Sequence, residues 1–478
     1  MRTNLYKVSG LLLMVFFFVS CKKNFLEVVP KGKLIASSLK DYDLLMNNAS
    51  FYQMTDGDLT MLMGDELAAE QSYFQNSNIS NLRAFAWEDV IYNPGDVVMY
   101  VDNRLKNLYI CNKIINEVNG VSDGTASQRM ALQAEALATR AWINLGMVNY
   151  FGNPYKETTA AADPGFPIIT EANINAKNFK RSSVKEVYES IINDLKTSIV
   201  NLPLKGAFAT RMSRPAAKGL LGKVYLYMGQ YQDALAQFNE AFTDLGNDPS
   251  AASLYDYNIA FAPGGDFLPF GRSGPDYPGS NYLKYKESVL LKTNSMAGIN
   301  SGIVLRPETM ALYTASDLRR QLYSNTHVDL TPIPGGLLRK YTQYAHLGIE
   351  LSDLILMRAE TRARTQDLAG AKADLKLLRI NRMSAADAEV PANVSTQVDL
   401  IKFIIDERVR EFAGEGQRWF DMRRLSTDPI FSTQHYKHYM YAADGVTIAK
   451  SYDLKPVRFT LRLPQAILDA NPGMSDNP

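Results

Sequence analysis

The stretch that most constrains the fold is residues 218–243, where small and large apolar residues recur at fixed spacing. Leu221, Gly222 and Tyr225 are followed by Gly229 and Tyr231, then by Ala234, Phe238 and Ala241. Within each half the steps are mainly of three and four residues, which places these side chains on one face of a helix. Gly229 stands between the halves, where a residue free to adopt a left-handed conformation can reverse the chain. The pattern therefore dictates two antiparallel helices. Gly222 and Ala234 mark their closest approach, and Tyr225 and Phe238 fill the groove beside it.

One hairpin cannot bury both its faces, so it must stack on other helices or on an added domain. The spacing L-G-x2-Y…A-x3-F is that of a tetratricopeptide repeat, with Lys218 where Trp is usual. A second unit falls at 354–378, where Ala359, Ala371 and Leu375 take the offsets of Gly222, Ala234 and Phe238. Stacking partners are at hand: helical periodicity covers 98–118, 128–150 and 183–202, with Gly120, Gly152 and Pro203 as stops and Ser183 as a cap. The expected fold is mainly α, a tetratricopeptide-type scaffold carrying an irregular, loop-rich subdomain and a few short strands. Residues 251–286 are rich in Gly, Pro and aromatic rings and form a long loop, and 427–463 is irregular, with Val457–Leu463 alternating like a strand.

The N-terminus has its own logic. Arg2 and Lys7 precede the apolar run Leu11–Val19, too short to span a bilayer as a helix, and Cys21 follows Ser20. Residues 1–20 read as a lipoprotein signal peptide, Cys21 as the acylated residue, 21–33 as a tether and 34–478 as the body. The body divides into an N-terminal part at about 34–230 and a C-terminal part at about 250–478. Cys111 then has no intramolecular partner and serves as a small buried apolar residue.

Charge excludes one class of function. Lys and Arg total 51 against 50 Asp and Glu, which leaves no field to attract nucleic acid. The chain has no G-x-S-x-G, no H-E-x-x-H and no phosphate-binding glycine loop, so neither an enzyme nor a cofactor is expected. Asp56-Gly57-Asp58 lacks the rest of a calcium loop, and His435 with His438 reads as a solvated pair, so no metal is expected either. Binding remains. The chain holds 26 Tyr, and such rings offer an apolar face with a polar tip. Two neighbourhoods combine rings with polar side chains: Tyr73, Trp87 and Tyr92 with Asn81, and Phe270, Tyr277, Tyr282 and Tyr285 with Arg272 and Asp276.

Residues 400–425 carry Glu407-Arg408, Glu411, Glu415-Gly416, then Arg418-Trp419-Phe420-Asp421-Met422-Arg423-Arg424. This run closely resembles the signature of the SusD/RagB family, I-x2-E-R-x2-E-x3-E-G-x-R-W-F-D-L-R-R. Ala134-Glu135-Ala136 with Arg140-Ala141, Tyr150–Tyr155, Leu354–Ala363 and the Asn-Pro pairs of the tail are similar to further blocks of that family. The resemblance implies an outer-membrane lipoprotein facing the cell exterior, binding an oligosaccharide or polysaccharide for a SusC-like TonB-dependent transporter. RagB-type relatives imply peptide instead, and a plain tetratricopeptide adaptor would bind no small ligand. Glu407, Glu411 and Glu415 stack on one helical stripe and must meet cations, for which Arg418, Arg423, Arg358 and Arg140 are the expected partners. Gly416 is expected to end that helix in a left-handed conformation.

Overall fold

A computed structural model describes residues 36–478 apart from 54–56, 249, 279–280, 297–300 and 342–343. Cys21 and the expected signal and tether lie outside the described residues.

Long helices make the scaffold: α1 (Met99–Glu117), α2 (Ala126–Phe151), α3 (Val184–Ile199), α4 (Arg214–Tyr227), α5 (Tyr231–Gly246), α6 (Leu351–Arg364), α7 (Leu368–Arg379), α8 (Gln397–Phe412) and α9 (Gln417–Leu425). From α1 to α7 each packs on the next, and α8 packs on α6. This serial stacking is that of a helical repeat. Caps fix the starts. Ser183 and Glu186 form a capping box on α3, as do Thr125 with Gln128 on α2 and Thr396 with Asp399 on α8. The α4–α5 hairpin turns at Gly229 with φ 74°. Phe238 lies directly on Gly222, so close that a Cβ there would stand 2.6 Å from its ring. Ala359, Ala371 and Leu375 are buried in a second cluster with Leu400 and Ile404 of α8.

Against these helices lies a small mixed sheet of β1 (Leu67–Glu70), β2 (Ile303–Leu305), β3 (Lys437–Tyr441) and β4 (Ile448–Asp453), in the order β4-β3-β1-β2. β1 runs parallel to β3, with Ala69 opposite Met440, and antiparallel to β2. Residues 457–463 are not a strand: Pro456 opens a 3₁₀ turn to Phe459, and extended chain follows. Proline has no N–H to donate to a ladder and its fixed φ favours the start of a turn. The 251–286 loop is built around a short helix, Tyr257–Ala260, and a tight hairpin pairing Phe270–Gly271 with Gly274–Pro275. Most of its described rings pack inward, with Phe267 fully buried among Tyr255, Tyr257, Phe261 and Tyr277. Cys111 is a free, buried thiol, and burial pushes its pKa up. No helix among the described residues is long and apolar enough to cross a membrane.

Candidate ligand-binding site

The signature residues build a charged core rather than a reactive one. Glu407 on α8 accepts from Arg319 at 2.7 Å, from Arg379 at 2.6 Å and from Arg410 at 2.9 Å. Glu411 pairs with Arg319 and Arg382, and Glu415 with Lys340. Burial alone would raise the Glu407 pKa, but the three arginines outweigh it and hold it far below the usual carboxylate range. A carboxylate so paired is ionised and fully engaged, the opposite of a general acid. The expected partners bind elsewhere. Arg418 holds Asp65, Arg358 holds Asp374, Arg140 holds Asp194, and Arg423 donates to the carbonyls of Val148, Gly152 and Phe459. Arg408 bridges Asp353 and Asp421, and Trp419 is fully buried. Gly416 is left-handed at φ 81°, yet it caps the start of α9; α8 has already ended before Gly414, also left-handed.

The two ring neighbourhoods separate in space into two cavities. The first, of about 250 Å³, is lined by Trp87, Tyr92 and Tyr100 on one side and by the chain from Arg458 to Gln465 on the other. Trp87 is a wall rather than a platform. Its φ is 51°, its Nε1 donates to the Met63 carbonyl at 3.0 Å, one ring face stacks on His438, and only 4% of it is exposed. His438 is no solvated partner of His435. It is buried between Phe85 and Trp87, with its nitrogens 2.7 Å from the carbonyls of Phe85 and Gly64, and burial lowers its pKa to about 4. Asn81 is buried within the helix Ile79–Phe85.

The second cavity, of about 340 Å³, opens in the long loop. The tight hairpin supplies Arg272, Ser273 and Asp276, and Tyr277, Lys340 and Tyr341 complete it. Gly274, at φ 106°, lets the Tyr341 ring lie on the hairpin backbone, where a Cβ would stand 2.5 Å from that ring. Rings beside a guanidinium, a hydroxyl and a carboxylate match what a sugar presents: apolar ring faces edged with hydroxyls. Phe270 flanks this cavity and is 46% exposed. Tyr285 is buried beneath it, its hydroxyl meeting Tyr277 at 3.1 Å. The side chain of Tyr282 lies outside the described residues.

Tyr73 lines neither cavity but joins the second region through a segment that the sequence did not single out. Its ring stacks on His327 at 3.6 Å, its hydroxyl donates to Asp329, and Arg272 reaches the carbonyl of Val328 between them. Tyr341 and His327 were equally missed, since both lie outside the two ring neighbourhoods that the sequence singles out. Among the described residues one group could hold a metal ion: His346, Glu350 and Glu415.

Comparison with known proteins gives this geometry its context. A family model described as starch-binding, associating with the outer membrane, matches residues 24–226, and one described as the SusD family matches residues 323–478. SusD-like protein P2 of Formosa agariphila is 25% identical over 379 residues, 69% of this chain and 70% of that protein. A SusD superfamily protein of Bacteroides thetaiotaomicron superposes with a TM-score of 0.72 at 19% identity, covering 92% of this chain and 100% of the other. A SusD-like carbohydrate binding protein of Bacteroides vulgatus gives 0.68 at 17% identity, covering 92% and 98%. At such identities the solved structures speak for the fold alone.

Proposed function

The chain belongs to the SusD/RagB family, and from that premise we propose that it is a lipid-anchored outer-membrane protein that binds a nutrient glycan and delivers it to a SusC-like TonB-dependent transporter. In this reading residues 1–20 direct export, Cys21 carries the acyl chains, and the body faces the cell exterior. The part played by the protein is capture without chemical turnover, and the loop cavity is where capture occurs.

One observation carries the assignment of the site. Tyr341, Tyr277, Arg272 and Asp276 converge on a cavity whose walls are a tight hairpin and, facing it, Leu322, Lys340 and Tyr341. A site for sugars needs both stacking faces and hydrogen-bonding groups that pick out hydroxyls, and the cavity has both. The Trp87 cavity is smaller and its tryptophan is occupied, which makes it the weaker candidate.

Isothermal titration of the protein from Lys22 onward against a panel of oligosaccharides and peptides is the test. We expect one glycan class to bind, and Tyr341→Ala to weaken it by about tenfold or more, ~1.4 kcal/mol. Binding of peptides alone would move the ligand to the other branch of the family. A Tyr341→Ala variant that binds as well as the parent would place the site elsewhere.

A further inference from the structure

His346 ends the short strand Tyr344–His346, Glu350 ends Ile349–Glu350 at the head of α6, and Glu415 stands in the turn between α8 and α9. The fold brings them together. One potential ligand atom from each lies within 4.8 Å of the other two. His346 and Glu350 are each only 4% exposed, and Glu415 is largely buried. Tetrahedral ligands about 2.1 Å from a zinc ion stand roughly 3.4 Å apart, so the widest pair needs to close by at most about 1.4 Å on loading.

The cluster is built but incomplete. His346 Nε2 is buried with no hydrogen-bond partner, while His346 Nδ1 pairs with Glu350 Oε1 at 3.2 Å. A buried polar atom left unpaired calls for a partner, and a bound ion is one that would satisfy it. The surroundings would hold the ligands in position. Tyr285 donates to Glu350 Oε2 at 3.1 Å, Gln417 donates to the His346 carbonyl, and the Tyr285 ring lies 4.3 Å from the imidazole. Such outer partners orient metal ligands. Lys340 pairs with Glu415, but a carboxylate has a second oxygen to offer.

We propose that His346, Glu350 and Glu415 form a site for a divalent transition metal, with zinc the ion whose donor preference they match. One imidazole and two carboxylates suit zinc, whereas calcium and magnesium favour oxygen alone. The ion would sit directly below the loop cavity. Tyr277 reaches the cluster through Tyr285 and Glu350, and Lys340 reaches it through Glu415, so loading fixes two walls of that cavity from underneath. The inference holds whichever ligand the cavity takes.

The test uses the purified protein stripped with EDTA and titrated with Zn²⁺, with Ca²⁺ as the comparison. One zinc per chain is expected by calorimetry and elemental analysis, at least about tenfold weaker in Glu350→Gln and in His346→Gln. Cobalt in place of zinc should give visible absorption bands that Glu350→Gln lacks. Circular dichroism shows whether each variant folds, and the parent titration stands without them. Absence of zinc uptake by the parent overturns the proposal, and so does calcium binding as tightly as zinc. Zinc retained unchanged in both variants places it at a surface group such as the exposed His435 and equally overturns the assignment.

Discussion

Glu407 shows how much a single buried charge can govern. It is fully buried and held by three guanidinium groups. Glu407→Gln takes the counter-charge from Arg379 and Arg410, while Arg319 keeps Asp317 and Glu411; the loss is roughly 3 to 5 kcal/mol for a buried pair broken on one side. Urea denaturation should show it as a lower midpoint, or as failure to fold. The same network sets the acid limit. Burial would raise Glu360, but Arg424 and Arg364 outweigh it and bring its pKa down to about 2 from the ordinary 4.5. A depressed carboxylate stabilises the fold above its unfolded pKa and loses that contribution as pH falls through the folded one. Stability should therefore drop between pH 4.5 and pH 2, by roughly 3 kcal/mol for Glu360 alone, read as a falling melting temperature, with Asp421 and Glu407 adding to it in the same direction. That three glutamates on one stripe need cations was legible in the sequence. Which cations was not, because Arg319, Arg379 and Arg382 come from segments whose spacing carries no trace of the pairing.

At the level of elements, the most legible feature was the α4–α5 hairpin, since its small and large residues are dictated by how closely two helices can cross. Gly222→Ala tests it: the added methyl meets the Phe238 ring, and overpacking of this kind should lower stability by about 1 to 3 kcal/mol in a chemical denaturation curve. Gly274→Ala acts on the candidate site instead. It strains a left-handed position and pushes on Tyr341. We expect glycan affinity to fall by about tenfold or more while the far-ultraviolet circular dichroism spectrum is unchanged. Short strands were the least legible elements. β1 is four residues of unbroken apolar and acidic character, and it is a strand only because β2 and β3 flank it. The alternation at 457–463 makes no strand for the converse reason: Pro456 opens a 3₁₀ turn, which outweighs a local period.

On the scale of the whole molecule, binding and stability should report on each other. A ligand that binds only the folded chain raises its stability by about 2.7 kcal/mol at a hundred times its dissociation constant. A thermal-shift screen of glycans should therefore find the same class that calorimetry does, and Tyr341→Ala should abolish the shift. The aromatic loop was visible as a candidate from composition. The convergence of Tyr73, His327 and Arg272 was not, because residues more than fifty positions apart meet there only through the fold. The parallel pairing of β1 with β3 spans almost the entire chain, from Ala69 to Met440. β1 therefore keeps one side unsatisfied until the segment that carries β3 has folded onto it. Loss of even the final tenth of the polypeptide would thus strand its beginning, leaving an open edge on which another chain can pair.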